Sequence, residues 1–225
     1  MPGKLGKIAY HFWSPERGPY ALLILLVLTL FVLGPLLSAR LIAPLILEIA
    51  YSVILISGAL IVTTWTSLRL LAIVVGLLSV ATRLLGLFSE KATLTVESLI
   101  SVGMLTVFAL LIGRNFVVRE RAPAHRITGA VTIYLLLGLI WTRLYQLLES
   151  VSPGSFRFPA GEELNASALT YFSFVTLATL GYGDITPVSL IARDLAVLEA
   201  VMGQLYLVIL ISWLVSQGVA KSGKE

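Results

Sequence analysis

The chain has 225 residues, of which 58% are hydrophobic and 12% charged, and its mean hydropathy is +0.97. A soluble domain carries about a quarter charged residues, so there is too little polar surface here to cover a water-soluble globule, and the bilayer is the solvent to reason with. Cysteine is absent, which excludes disulfides, thiolate metal sites and cysteine nucleophiles; the net charge of +4 comes with no basic patch interleaved with aromatics, which excludes nucleic-acid binding.

A membrane span needs about 20 apolar residues, and the sequence predicts six, at 20–37, 44–65, 68–88, 94–112, 127–148 and 188–215. Lys4 and Lys7 precede the first run, as they would in a signal peptide. The run is long enough to span, however, and Ser38-Ala39-Arg40 is a poor cleavage site, so it reads as a retained helix. With the N-terminus inside, the inner side collects Lys4, Lys7, Arg17, Arg69, Arg114, Arg119, Arg121, Arg126, Lys221 and Lys224. The outer loops hold only Arg40, Lys91 and Arg157, with Arg193 near that surface. That asymmetry sets both termini in the cytoplasm of a cell membrane.

The predicted organisation is a cytoplasmic N-terminus (1–19), a four-helix membrane domain (20–113), a basic linker (114–126), a pore domain (127–217) and a short tail (218–225). Within the pore domain, residues 149–165 hold Pro153, Gly154, Pro159 and Gly161 and read as an exposed loop. A short apolar stretch follows at 166–178, with Asn165 as N-cap. A helix of that length reaches about 20 Å, too short for a hydrocarbon core of about 30 Å. It is therefore expected to be re-entrant, entering from outside and stopping midway. The sequon at Asn165-Ala166-Ser167 falls at its start and is read as chance.

Next comes Thr179-Leu180-Gly181-Tyr182-Gly183-Asp184. Non-helical backbone at membrane depth is tolerated only where protein buries it or it lines a watery path. A ring of carbonyl oxygens can replace the water around a dehydrated ion, provided that successive carbonyls face one axis. An ordinary strand alternates them; glycine accepts the left-handed angles that relieve the alternation. Gly181 and Gly183 sit at alternate positions, as such a strand requires.

On these residues the chain resembles the potassium channel family, from about Ile127 to Val215. The resemblance implies an all-α membrane protein with six transmembrane helices per chain, a re-entrant pore helix and an extended selectivity filter. The family filter is usually Thr-Val-Gly-Tyr-Gly; here Leu180 replaces the valine, and Ala178 stands where a second threonine often precedes it. The resemblance implies K⁺ bound at Thr179, Leu180, Gly181, Tyr182 and Gly183, with Asp184 at the outer mouth. It also implies that Tyr171 and Phe172 form a pore-helix collar against which Tyr182 braces. One strand cannot surround an ion, and the chain has no second Gly-Tyr-Gly, so four copies are expected around one axis. Pore-helix C-termini aimed at that axis would favour a cation below the filter. K⁺ is the permeant ligand; no cofactor and no enzymatic site are expected, since His11 and His125 are isolated.

The six-span layout resembles voltage-gated channels, but 94–112 contains no Arg or Lys, and the positions three and six beyond Arg114 are Val117 and Glu120. No arginine ladder exists, so no S4-type voltage sensor is expected. Glu48, Arg83 and Glu97 fall near the outer ends of their spans, as an ion-pair cluster or as charges snorkelling to the interface. On the last span, Gly203 is a candidate gating hinge or a close-packing site. Glu199 and Gln204 either face the cavity or brace the filter, with Glu199 a spatial substitute for the acidic pore-helix residue of some family members, at Val175 here. Arg143 is a candidate partner of Asp194 or Glu199. Arg114, Arg119, Arg121 and Arg126 form a juxtamembrane cluster that sets topology and is suited to anionic lipid. Two other readings are a weakly selective or voltage-modulated cation channel and a transporter with a glycine-rich re-entrant loop. The first is disfavoured by the intact Gly-Tyr-Gly, the second by the absence of two related halves.

Overall fold

The computed structural model describes residues 18–29, 70, 74, 90–114, 123–159 and 166–222. Five helices and a two-rung ribbon lie within them: α1 (Gly18–Val27), α2 (Glu90–Ile112), α3 (Pro123–Val151), β1 (Phe156–Arg157), α4 (Ala166–Leu177), β2 (Thr186–Pro187) and α5 (Leu190–Ser222). The predicted span at 44–65, that at 68–88 apart from residues 70 and 74, the side chains of Glu48, Arg83 and Glu97, and Asn165, Arg119 and Arg121 lie outside the described residues.

Two helices are long and apolar enough to cross a bilayer, at Arg126–Val151 and Leu190–Ser216. They are the cores of α3 and α5. Between them α4 has 12 residues, about 18 Å at the helical rise. The long–short–long order expected of this region is therefore present as structure.

Two apolar cores flank α3. On one side Leu26 of α1 and Leu105, Phe108 and Ile112 of α2 pack on Leu135, Leu136 and Leu139. The hydroxyls of Thr95, near the start of α2, and Ser150, near the end of α3, meet at 3.0 Å and tie those two ends together. On the other side Trp141 and Tyr145 pack with Phe156, Leu169, Phe172, Leu177, Ile185 and Ala192, joining α3 to the pore loop and α5. Tyr145, Phe156 and Phe172 make a mutual edge-to-face triad, with centroids 5.1 to 5.3 Å apart, an arrangement that sets positive ring edges against negative faces.

The expectation of a wholly exposed loop over 149–165 is corrected in its first half. Helix α3 runs on to Val151, and Glu149 is buried. Its carboxylate accepts the backbone N–H groups of Gly154 at 2.6 Å and Ser155 at 3.0 Å. Pro153 and Gly154 (φ +83°) make the turn, with glycine at the left-handed position such a turn requires. Phe156, buried, then begins β1, which pairs antiparallel with β2: Phe156 opposite Pro187 and Arg157 opposite Thr186.

The last helix starts later and ends later than 188–215. Ser189 caps its start, its hydroxyl accepting the Ala192 N–H at 3.2 Å, the usual N-cap bond. The helix continues to Ser222, into the segment expected as tail.

Candidate ion pathway

Helix α4 ends in a cap that dictates where the next residues go. The Leu180 N–H reaches the Val175 carbonyl at 2.9 Å, and the Thr179 N–H reaches that of Thr176 at 2.9 Å. These are the two bonds of a Schellman motif, whose closing residue adopts the left-handed conformation and is usually glycine. Here it is Thr179, at φ +58°. A positive φ at a β-branched residue is a genuine outlier, of the kind that clusters at functional sites.

The left-handed residue is the first of a series. Gly181 (φ +58°) and Gly183 (φ +81°) follow, while Leu180 and Tyr182 between them have negative φ. Alternation of hand cancels the flip that an ordinary strand imposes on successive peptides, and is the backbone pattern that lets their carbonyls face one side. The segment is held at both ends, by the α4 cap and by β2 through its pairing with β1. All six residues from 179 to 184 are exposed in the single chain.

Tyr171 and Phe172 lie on different faces of α4. One residue of helix turns a side chain by about 100°, and the two go to opposite tasks. Phe172 is buried in the triad with Tyr145 and Phe156. Tyr171 is exposed and donates its hydroxyl to Asp184, which holds that carboxyl below the usual carboxylate range. The Tyr182 ring, expected to brace on the surrounding collar, is 67% exposed in the single chain.

The sign of the Asp184 shift has a consequence. A carboxyl whose pKa is lowered by a hydrogen bond contributes that bond above its ordinary range and loses it as the pH falls through the lowered value. Tyr171→Phe therefore moves the acid titration of Asp184 upward, toward the ordinary carboxylate value. Current recorded against external pH in symmetrical K⁺ reads this as a block by protons that sets in at higher pH than in the wild type. Superimposed titrations would mean that the hydroxyl does not hold the carboxyl.

Behind α4 lies a buried polar chain. Glu199 on α5 is fully buried; one carboxylate oxygen meets the Tyr145 hydroxyl of α3, the other lies 2.6 Å from the Ser173 hydroxyl of α4. Ser173 Oγ is also 2.8 Å from the Gly138 carbonyl of α3. Glu199 thus sits against the back of the pore loop rather than facing an open cavity. Arg143, expected to pair with Asp194 or Glu199, donates through Nη1 to Gln146 at 3.1 Å, one turn along the same helix, while Glu199 takes the two hydroxyls. A lone glutamate in an apolar helix was legible as a candidate. Its partners Ser173 and Tyr145 were missed, because they lie 26 and 54 residues away and carry no pattern.

Gly203 is buried within an unbroken stretch of α5. A Cβ there would collide with the Leu177 carbonyl oxygen and lie 3.0 Å from Leu177 Cδ1. Close packing on the end of α4 accounts for this glycine. Gly138 on α3 has the matching role at mid-helix, where a Cβ would lie 2.6 Å from the Phe174 ring. Tyr134 also reaches the Leu177 carbonyl, at 3.4 Å.

Near the start of α3, Tyr206 donates to the Ala130 carbonyl at 2.6 Å and the Arg126 guanidinium lies 5.6 Å from the Trp213 ring centroid, within cation–π range. Arg126 thus faces α5, while Arg114 is exposed. Among the described residues no group of His, Asp or Glu is arranged to hold a metal ion.

Residues 129–219 match the family model described as "Ion channel". The matched stretch, less than half of the chain, runs from α3 through the pore loop and along α5. No curated protein and no solved structure matches the chain. The match supports an ion-channel domain over these residues, a passive ion path in a membrane protein.

Proposed function

We propose that this chain is one subunit of a homotetrameric K⁺-selective channel of the plasma membrane, with both termini cytoplasmic. The alternation of left-handed backbone at Thr179, Gly181 and Gly183, directly after a half-length helix, carries the reading. It supports carbonyls of Thr179, Leu180, Gly181 and Tyr182 that line one side of the strand, where four copies would cage a dehydrated ion. The Thr179 hydroxyl adds a ligand at the inner end, and Asp184 sits at the outer mouth.

The exposure of 179–184, and of Val197, Val201, Leu205 and Val208 on α5, supports assembly in the same way. An apolar face of that extent requires lipid or other copies of the chain to cover it. Conduction is passive. It is not gated by an S4-type sensor, since α2 carries no arginine or lysine over 94–112. Arg114, Arg119 and Arg121 remain suited to anionic headgroups at the inner surface.

The test is the reversal potential of the purified protein in planar bilayers under opposed K⁺ and Na⁺ gradients. A reversal potential near that of K⁺ is expected. Comparable permeability to both ions would sink the selectivity, and steep opening with voltage would sink the reading of α2.

A further inference from the structure

The buried chain behind α4 has more contacts than protons if Glu199 is ionised. Three oxygen–oxygen contacts run in series: Tyr145 Oη to Glu199 Oε2, Glu199 Oε1 to Ser173 Oγ at 2.6 Å, and Ser173 Oγ to Gly138 O at 2.8 Å. Each contact needs one proton. The tyrosine and serine hydroxyls supply one each, and a carbonyl and a carboxylate supply none. Were Glu199 a carboxylate, Ser173 would have to choose between two acceptors. Two oxygens would then face each other 2.8 Å or less apart with no proton between them. Thr142 Oγ1 already donates to the Gly138 carbonyl, at 2.8 Å, and has no second proton to lend.

We propose that Glu199 is a neutral carboxylic acid in the assembled protein, and that its proton fastens the pore helix to the outer helix. The acid O–H donates to Ser173, Ser173 donates to Gly138, and Tyr145 donates to the acid carbonyl. All three contacts are then satisfied. Buried polar networks of this kind are rigid when complete and costly when one member lacks a partner. The surroundings suit a neutral acid. From α3 it is faced by Tyr145 and more distantly by Tyr134, and from α4 by Ser173. On α5 itself, Tyr206 stacks on Tyr134. Of the other ionisable groups of these helices, Tyr171 bonds Asp184, Arg143 donates to Gln146 and Arg193 donates to the Pro187 carbonyl. Neither hydrogen bond of Glu199 comes from a cation.

Removing the proton is a simple step. Hydroxide takes it from Glu199 Oε1 and leaves as water, Ser173 turns its one proton to the carboxylate, and the bond to Gly138 is lost. Gly138 is a point of close contact between α3 and α4, where a Cβ would lie 2.6 Å from the Phe174 ring, so the pore helix loses a bond at a tightly packed point. Glu199 is on this reading a positioning residue for the filter. The proposal rests on α4 being a pore helix, but its first readout does not need conduction.

That readout is the infrared spectrum of the full chain in lipid vesicles at neutral pH. A protonated-carboxyl band is expected in the wild type, absent from Glu199→Gln and shifted in frequency in Ser173→Ala, which removes its acceptor. A wild-type spectrum without the band, or a band that survives Glu199→Gln, overturns the proposal. So does a band that Ser173→Ala leaves in place, which decides the matter if the glutamine variant fails to assemble. The second readout is current against pH in symmetrical K⁺. Wild-type current is expected to fall by roughly tenfold at alkaline pH, the factor that losing one buried hydrogen bond supports. Glu199→Gln keeps all three contacts without a titratable proton, so that alkaline fall should vanish. An equal fall in both proteins overturns the coupling. If the band behaves as expected and K⁺ selectivity is absent, it is the proposed function that fails.

Discussion

Gly181→Ala is expected to abolish the preference for K⁺ over Na⁺ while leaving the helical content of the chain unchanged. Nothing lies within 4 Å of a Cβ built at this position in the single chain, so the penalty is not a clash within the subunit. It comes from the backbone. At φ +58° an L-residue with a side chain costs about 1–2 kcal/mol relative to glycine. Four subunits make the same change around one axis, so the assembled filter bears about 4–8 kcal/mol. A segment with no core of its own relieves that by turning back to negative φ, which swings a carbonyl off the axis. Helices α3, α4 and α5 are packed elsewhere and have no reason to respond. Reversal potentials under opposed gradients, with circular dichroism on the same preparation, check both halves. A variant that keeps wild-type selectivity would show that the left-handed angle at 181 is not what aligns the carbonyls.

Gly203→Ala acts by the opposite route, through space and not through angle. Its Cβ meets the Leu177 carbonyl oxygen, and it lies 3.1 Å from the carbonyl carbon. A flexible side chain could yield, but a backbone carbonyl at the end of a capped helix cannot without moving the cap. Overpacking of this kind costs about 1–3 kcal/mol per subunit. The displaced group is Leu177, two residues before Thr179, so the strain is delivered to the inner end of the filter. Loss of most of the single-channel current is expected, with a lowered melting temperature of the assembled protein. Unchanged current would mean that α5 does not press on α4 in the conducting state. A pure hinge role predicts altered opening probability with normal unitary current, so single-channel records separate the two.

The sequence made much of this site legible, for identifiable reasons. A 12-residue apolar stretch between two long ones is a matter of length, and length survives into structure. Gly181 and Gly183 announced a left-handed requirement by being the residues that meet it cheaply. Thr179 did the same task unannounced, since a β-branched residue is the last that propensity would place there. The ribbon of β1 and β2 was invisible because two-residue strands have no period and one of its four residues is Pro187. The resemblance to a collar sets Tyr171 and Phe172 together; on a helix, adjacent residues lie on different faces, and their separate neighbours carry no sequence pattern. The burial of Glu149 was hidden too, because a glutamate before a Pro-Gly turn looks like surface until its two backbone donors are seen.

The pairing of Phe156 with Pro187 and Arg157 with Thr186 bears on the order of assembly. It clasps the two ends of the pore loop together, so the half-helix, its cap and the filter strand form one tethered lobe of a single chain. The entropy of closing that lobe is spent within the subunit, and it grows only slowly with loop length. The two backbone bonds of the cap are likewise made within the chain. Each subunit can therefore arrive in the membrane with its filter strand already bent. In the proposed tetramer four subunits then have to align preformed strands, not fold them together, and the joining step bears little ordering cost.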